Sequence, residues 1–166
     1  MCIRDRIDTL VCGLDDKYPD VREAVMGALV LIGTDKVVNL FSSDLYHDDI
    51  ERQRLAVTAL GLIGDKSVVD SLLQAINHPD SMIRKSALDS LAKIKDVDNL
   101  SPLMIALDDE NNSVRKSAIS ALVAIKGYDV IPELAYLLDD SDLWVVYHLL
   151  TIIGNSNTKK YSSYLH

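Results

Sequence analysis

The sequence predicts an all-α fold, a solenoid of antiparallel helix pairs, and three observations carry that prediction. The chain lines up with itself at an offset of 31 residues along its length. Within each copy, apolar residues recur at spacings of three and four, as they do along one stripe of an α-helix. Each copy holds two such stripes, parted by small or turn-forming residues at which the chain can reverse.

The first helix of each pair is marked by four columns. They are Val25, Ala56, Ala87, Ala118; Ala28, Ala59, Ser90, Ala121; Leu29, Leu60, Leu91, Leu122; and Ile32, Ile63, Ile94, Ile125. They stand four, seven, eight and eleven residues after Val21, Arg52, Ile83 and Val114, one face of a helix. Its start falls at Asp49, Asp80, Asn111 and Asp142, whose short side chains accept hydrogen bonds from the free N–H groups of the first turn; Tyr18 fills that slot in the earliest copy. Gly33-Thr34, Gly64-Asp65, Lys95-Asp96 and Lys126-Gly127 end the first helix and open the second. The second helix carries Val38, Val69, Leu100, Ile131, then Phe41, Leu72, Leu103, Leu134, then Leu45, Ile76, Leu107, Leu138. Pro102 and Pro132 lie near its start, where a missing N–H costs little. One pair alone cannot bury both stripes, whereas stacked pairs make a continuous core.

Composition narrows the function classes. With 48% apolar residues, 7 glycines and 4 prolines in 166, the chain belongs with well-folded proteins. A formal charge of -8 opposes binding to a phosphate backbone, so no nucleic-acid partner is expected. No apolar run approaches the ~20 residues of a membrane span, so no membrane partner is expected either. Arg4, Asp5, Arg6 and Asp8 interrupt the start where a signal peptide would be apolar, and a cytoplasmic protein follows. Cys2 and Cys12, the two cysteines, cannot build a disulfide framework or a Cys-rich zinc site.

The segments Asp20-Val21-Arg22, Ile83-Arg84 and Val114-Arg115, each followed by Ala or Val and then by Ala/Ser-Leu and Ile, resemble HEAT repeats over residues 7 to about 154. A period of 31 is shorter than the ~40 to 47 of longer HEAT and armadillo classes and is similar to the compact phycobilin-lyase (PBS-lyase) HEAT-like class. The resemblance implies a right-handed α-α superhelix, a HEAT-like solenoid of about five repeats. It also implies a polar ladder between neighbouring repeats through Arg22, Arg84 and Arg115, from which Gln53 and Val146 depart.

The N-terminal end is expected to be cut, and the C-terminal end to be either cut or closed by a terminal cap. Ile7, Leu10 and Leu14 align with Val38, Phe41 and Leu45, so the chain opens inside a second helix whose own first helix is missing, leaving an exposed apolar edge. Residues 1–6, Met1 to Arg6, are similar to the translation of a common sequencing adaptor and are set aside as an artefact, with 7–166 forming the solenoid. At the other end Gly154 arrives three residues early in the register, and Tyr161 to His166 stop inside the expected second helix.

The chemistry-bearing residues point away from catalysis. His47 and His78 share one column in the turn between repeats, where they read as polar loop residues; His148 and His166 lack partners at metal-ligand spacing. No His-Glu dipeptide occurs, which separates the chain from HEAT-like di-iron hydroxylases. The acidic pairs Asp15-Asp16, Asp48-Asp49, Asp108-Asp109 and Asp139-Asp140 largely keep the repeat phase, as capping and the helix dipole demand. No catalytic residue, metal site or cofactor is implied.

In solenoids of the resembling kind the second helices line the concave face. The candidate partner-binding residues there are Asn39, Ser43, Asp70, Gln74, Asp98, Ser101, Ile105, Asp129, Pro132, Glu133 and Tyr136. Their acids, with Lys36 as the facing cation, favour a basic or polar peptide, and Ile105 and Tyr136 offer apolar anchors. Six of nine aromatics (Tyr128, Tyr136, Trp144, Tyr147, Tyr161, Tyr164) crowd the last forty residues, as an interface or as core. The expected function is a non-enzymatic protein-protein interaction scaffold. The alternative is a bilin lyase/isomerase-like subunit acting with a partner chain; a HEAT-like alkylpurine glycosylase would need a basic groove, which the acidic columns oppose.

Overall fold

The structure, a computed structural model, describes the backbone of residues 3–156 and the side chains of residues 7–156. Among the described residues ten α-helices follow one another and there is no strand. They are α1 (Ile3–Val11), α2 (Pro19–Ile32), α3 (Asp35–Asp44), α4 (Ile50–Ile63), α5 (Val69–Ala75), α6 (Ser81–Ile94), α7 (Ser101–Ile105), α8 (Asn112–Lys126), α9 (Ile131–Leu134) and α10 (Leu143–Asn155). The even-numbered helices are the first helices of the repeats and pack on one another in chain order. The odd-numbered ones form a second layer, each packed on the even helix that follows, α9 doing so through the 3-10 turn Ala135–Asp139.

Local chemistry sets these boundaries. Asp49, Asp80, Asn111 and Asp142 cap α4, α6, α8 and α10 by accepting the N–H of Glu51, of Met82 and Ile83, of Ser113 and of Trp144. Tyr18 gives α2 no side-chain cap, and Pro19 at the first position needs none for its absent N–H. Positive φ ends the first helices at Gly33 (55°), Gly64 (66°), Lys95 (60°) and Gly127 (72°). The second helices are shorter than their stripes suggest: 3-10 turns at Lys66–Val68, Ala106–Asp108 and Ala135–Asp139 carry part of them.

The core holds the leucine and alanine columns read from the sequence; the Ile32 column is only partly buried, and Val37, Val68, Val130, Leu88 and Ile119, outside those columns, are buried as well. Leu29, Leu60, Leu91 and Leu122 are fully buried, as are Ala56, Ala87 and Ala118. Small residues let the first helices approach closely: a methyl at Gly61 would strike the Ser90 hydroxyl of α6. Of the apolar edge expected at Ile7, Leu10 and Leu14, Ile7 and Leu14 are covered as part of the common core, at 2% and 1% exposed, and Leu10 packs against it partly buried. At the other end α10 runs through Gly154 to Asn155, so that glycine does not terminate it. Leu150 is 38% exposed, although its equivalents Val57, Leu88 and Ile119 are buried; α10 has no following first helix among the described residues.

Polar links join the repeats. Arg84 donates from Nε and Nη2 to both carboxylate oxygens of Asp109 (2.7 and 2.8 Å) and from Nη1 to the carbonyls of His78 and Pro79 (2.9 Å each). Arg115 repeats this one copy later, to Asp140 at 2.8 and 2.8 Å and to the Asp109 carbonyl at 2.8 Å. Each acid also accepts the N–H two residues on, at Asn111 and Asp142. In the first two copies the acid's column holds His47 and His78, whose Nδ1 takes over that N–H acceptance from Asp49 and Asp80 (3.1 and 3.0 Å). A neutral imidazole with its hydrogen on Nε2 does this, but it offers arginine no carboxylate. The ladder is therefore partial. Arg22 bonds only the Asp16 carbonyl, its buried Nε finding no partner among the described residues. Gln53, too short to cross, bonds its own His47 carbonyl at 2.5 Å.

A second link stands where the ladder fails. Arg52 is 7% exposed in the column otherwise filled by Val21, Ile83 and Val114. It donates from Nε to Asp44 at 3.0 Å and from Nη1 to Asp15 at 2.5 Å. Asp44 is buried in a column whose later members are Ala75, Ala106 and Leu137. A charge pair has replaced an apolar pair at matched positions.

Candidate functional site

The buried stripe of each second helix fixes which residues face outward. With Val38, Phe41 and Leu45 inside, Asn39 and Ser43 point out, and the same register exposes Asp70, Gln74, Asp98, Ser101, Ile105, Asp129, Pro132, Glu133 and Tyr136. All eleven candidate residues lie on the second-helix layer and are exposed, in a row that advances one repeat at a time. Ile105 at 69% and Tyr136 at 51% stand among the acids as apolar contact area.

Hydrogen bonds tie this row together from repeat to repeat. The Tyr46 hydroxyl donates to Gln74 Oε1 at 3.1 Å, and Ser42 and Ser71 share a bond of 2.7 Å between α3 and α5. Tyr136 donates to Asp108 Oδ1 at 3.0 Å; burial first, and then this carboxylate, push the phenol up to about 12, so it stays a donor at neutral pH. The Ser43 hydroxyl turns back to the Asn39 carbonyl at 2.7 Å, leaving Asn39's amide outward.

The electrostatics are less one-sided than the columns suggest. Lys36 is engaged by Asp8 at 2.5 Å. Lys66 reaches Asp96 and Asp98 at 3.2 and 3.7 Å, and Lys126 pairs with Glu133 at 2.9 Å. These lysines lie in the loop before α5 and at the end of α8, so helix columns alone miss them. Asp70 has no ion pair among the described residues and is the open acid of the row. A groove of about 390 Å³, bordered by Tyr46, Gln53, Gln74 and His78, runs where α3 and α5 end. Tyr46 was outside the sequence-derived set because it falls in a turn, off any helical stripe.

Sites of other chemistry are read from the same geometry. No group of three or more His, Cys, Asp or Glu side chains suited to a metal occurs among the described residues. His47 and His78 serve the turns, as above, and burial first holds His78 below its ordinary value. His148 lies 2.8 Å from the Ser120 hydroxyl. Among the acidic pairs, Asp49 caps a helix while Asp109 and Asp140 take the arginines. Trp144 and Tyr147 meet edge to face at 6.1 Å on α10, and both are exposed. Tyr161, Tyr164 and His166 lie outside the described residues. No helix among the described residues is long and apolar enough to cross a membrane.

Comparison with known proteins agrees with this architecture. The chain is similar over 95% of its length to the complex of CpcE and CpcF of phycocyanin lyase from Nostoc sp. PCC7120, at 19% identity and a TM-score of 0.69, covering 67% of that chain. It is similar over 90% of its length to an engineered protein, at 21% identity and a TM-score of 0.58, covering 78% of it. At these identities the likeness is one of fold. No curated protein matches the sequence. The family described as HEAT repeats matches residues 40–123, more than half of the 166, from within α3 to within α8, and includes the ladder residues Arg84 and Arg115. The chain belongs to the HEAT-repeat family.

Proposed function

We propose that the chain is a non-enzymatic protein-interaction scaffold of the cytoplasm whose second-helix face receives a basic or polar peptide segment of another protein. The observation that carries this reading is the exposed row from Asn39 to Tyr136, in register over four repeats, with Ile105 and Tyr136 set among carboxylates. Repeat stacking makes such a row long and stiff, so that a partner binds without ordering it. The open Asp70 and the partly screened Asp98 supply attraction, and the two apolar side chains supply contact area.

The test is selection of binding peptides against the chain, followed by titration of Asp70→Lys/Asp98→Lys. A basic peptide should bind this variant roughly tenfold or more weakly, the scale of losing charge pairs at an interface. Undiminished binding would refute the assignment of the face. One observation favours a second reading: the neighbour of similar fold is a complex of two chains of a lyase. A bilin lyase/isomerase-like subunit acting with a partner chain would show pigment absorbance after co-expression with a bilin and that partner.

A further inference from the structure

On the first-helix layer, away from the row just described, α6, α8 and α10 border a hollow of about 240 Å³. Lys85, Ser113, Lys116, Ser117, Ser120 and His148 line it, and no carboxylate does. The register accounts for its charge. Lys85 has Asp89 one turn on and bridges it at 2.6 Å. In the next copy the lysine is kept as Lys116, but the acid is replaced by Ser120, which turns to His148 instead. Lys116 is left with no ion pair among the described residues.

Ser117 is a separate observation. It is 6% exposed and lines the hollow, yet its hydroxyl has no hydrogen-bond partner among the described residues. Ser90 on α6, similarly buried, bonds the Ser86 carbonyl at 2.7 Å. That hydroxyl opens onto the hollow and is not one of the sealed, unpartnered polar atoms of the core, so it is free to donate to a ligand's acceptor oxygen. The Lys85–Asp89 pair is exposed and lies one turn apart, a weak link that a more highly charged anion displaces.

We propose that this hollow binds a phosphate group, through the ammonium groups of Lys85 and Lys116 and the hydroxyls of Ser113 and Ser117, with the Ser120–His148 pair forming one wall. Two lysines in a chain of net charge -8 suit a single monoester or free phosphate and not a nucleic-acid backbone, which needs a run of cations. No Phe, Tyr or Trp side chain lines the hollow to stack a base. The assignment is independent of the peptide face.

The experiment is heteronuclear NMR of the whole chain titrated with inorganic phosphate, and separately with a phosphoserine peptide, at constant ionic strength set by sodium chloride. Saturable shifts at Lys116, Ser117, Ser120 and the His148 ring are expected, with Lys116→Gln weakening them roughly tenfold, as loss of one charged hydrogen bond does. Lys126→Gln, at the far end of α8 and paired with Glu133 instead of lining the hollow, should leave them unchanged, and Lys85→Gln repeats the test should Lys116→Gln fail to fold. Tighter binding of the peptide identifies a modified protein as the source, and equal binding identifies a small anion. Shifts that never saturate, or that survive in both hollow-lining variants, overturn the proposal.

Discussion

Replacing Asp44 by alanine leaves the Arg52 guanidinium, 8% exposed, with only Asp15 as a partner, and that carboxylate is 62% exposed. Replacing Arg52 by valine leaves the Asp44 carboxylate, 9% exposed, with no cation. Removing one partner of a buried ion pair costs about 3–5 kcal/mol, because the survivor stays desolvated without compensation. The first change belongs at about 3 kcal/mol, since Asp15 remains, and the second at about 4 kcal/mol. The double variant behaves differently. It places valine and alanine where the following repeats place Ile83 with Ala75 and Val114 with Ala106, all buried. Exchange of a buried pair for fitting apolar residues is often neutral or stabilising, so the double variant should lie within about 1 kcal/mol of the parent, well short of the additive loss of about 7 kcal/mol. Urea unfolding followed by far-ultraviolet circular dichroism measures the cycle. Amide exchange in α4 adds a local reading, useful because repeat arrays depart from two-state behaviour. A double variant as unstable as the sum of the singles would refute the view that the pair substitutes for an apolar contact.

The broken rungs yield two further predictions. His47→Asp restores the carboxylate 25 residues after Arg22, as Asp109 follows Arg84, while keeping an acceptor for the Asp49 N–H. A charged hydrogen bond contributes about 1.5–3 kcal/mol; repulsion from Asp48 and Asp49 reduces this to about 1 kcal/mol, read as a higher urea midpoint, and an unchanged or lower midpoint counts against the ladder. Arg84→Met leaves the Asp109 carboxylate, 11% exposed, without its bidentate partner and should cost about 3 kcal/mol at pH 7. The pH dependence follows from Asp109. Burial raises its carboxyl, but the bonds from Arg84 and the Asn111 N–H, with the nearby arginine charges, outweigh this and hold it below 3.8. A depressed acid contributes stability above its unfolded value and loses it as pH falls through its folded value. With Arg84 gone, burial dominates and the acid binds a proton on folding, so the variant's deficit should shrink as pH falls from 7 towards 4. A deficit constant with pH would assign the loss to packing.

The fold was legible in the sequence because its determinants are local and repeated. An apolar residue at every third or fourth position specifies a helix, a short polar side chain or a left-handed residue specifies its ends, and a 31-residue period specifies that like faces like. Capping by Asp49, Asp80, Asn111 and Asp142 and burial of the Leu29 column follow from those rules alone. The candidate row was legible for the same reason, being the complement of a buried stripe. What needed the tertiary structure were interactions between residues from unlike columns. Arg84 meets Asp109 across 25 positions, Arg52 gathers Asp44 from the end of α3 and Asp15 from the segment before α2, and Lys66 and Lys126 reach the acidic face from outside the second helices. Arg52 did carry a visible signal, a charge in an apolar column; its acids did not, because one closes a second helix among polar neighbours and the other ends a 3-10 turn. The hollow on the first-helix layer arises in the same way, from an acid lost one turn beyond Lys116 and a histidine supplied by the next helix. Periodicity determines which residues share a face, whereas long polar side chains choose partners by the distance between faces, and only the packed helices set that distance.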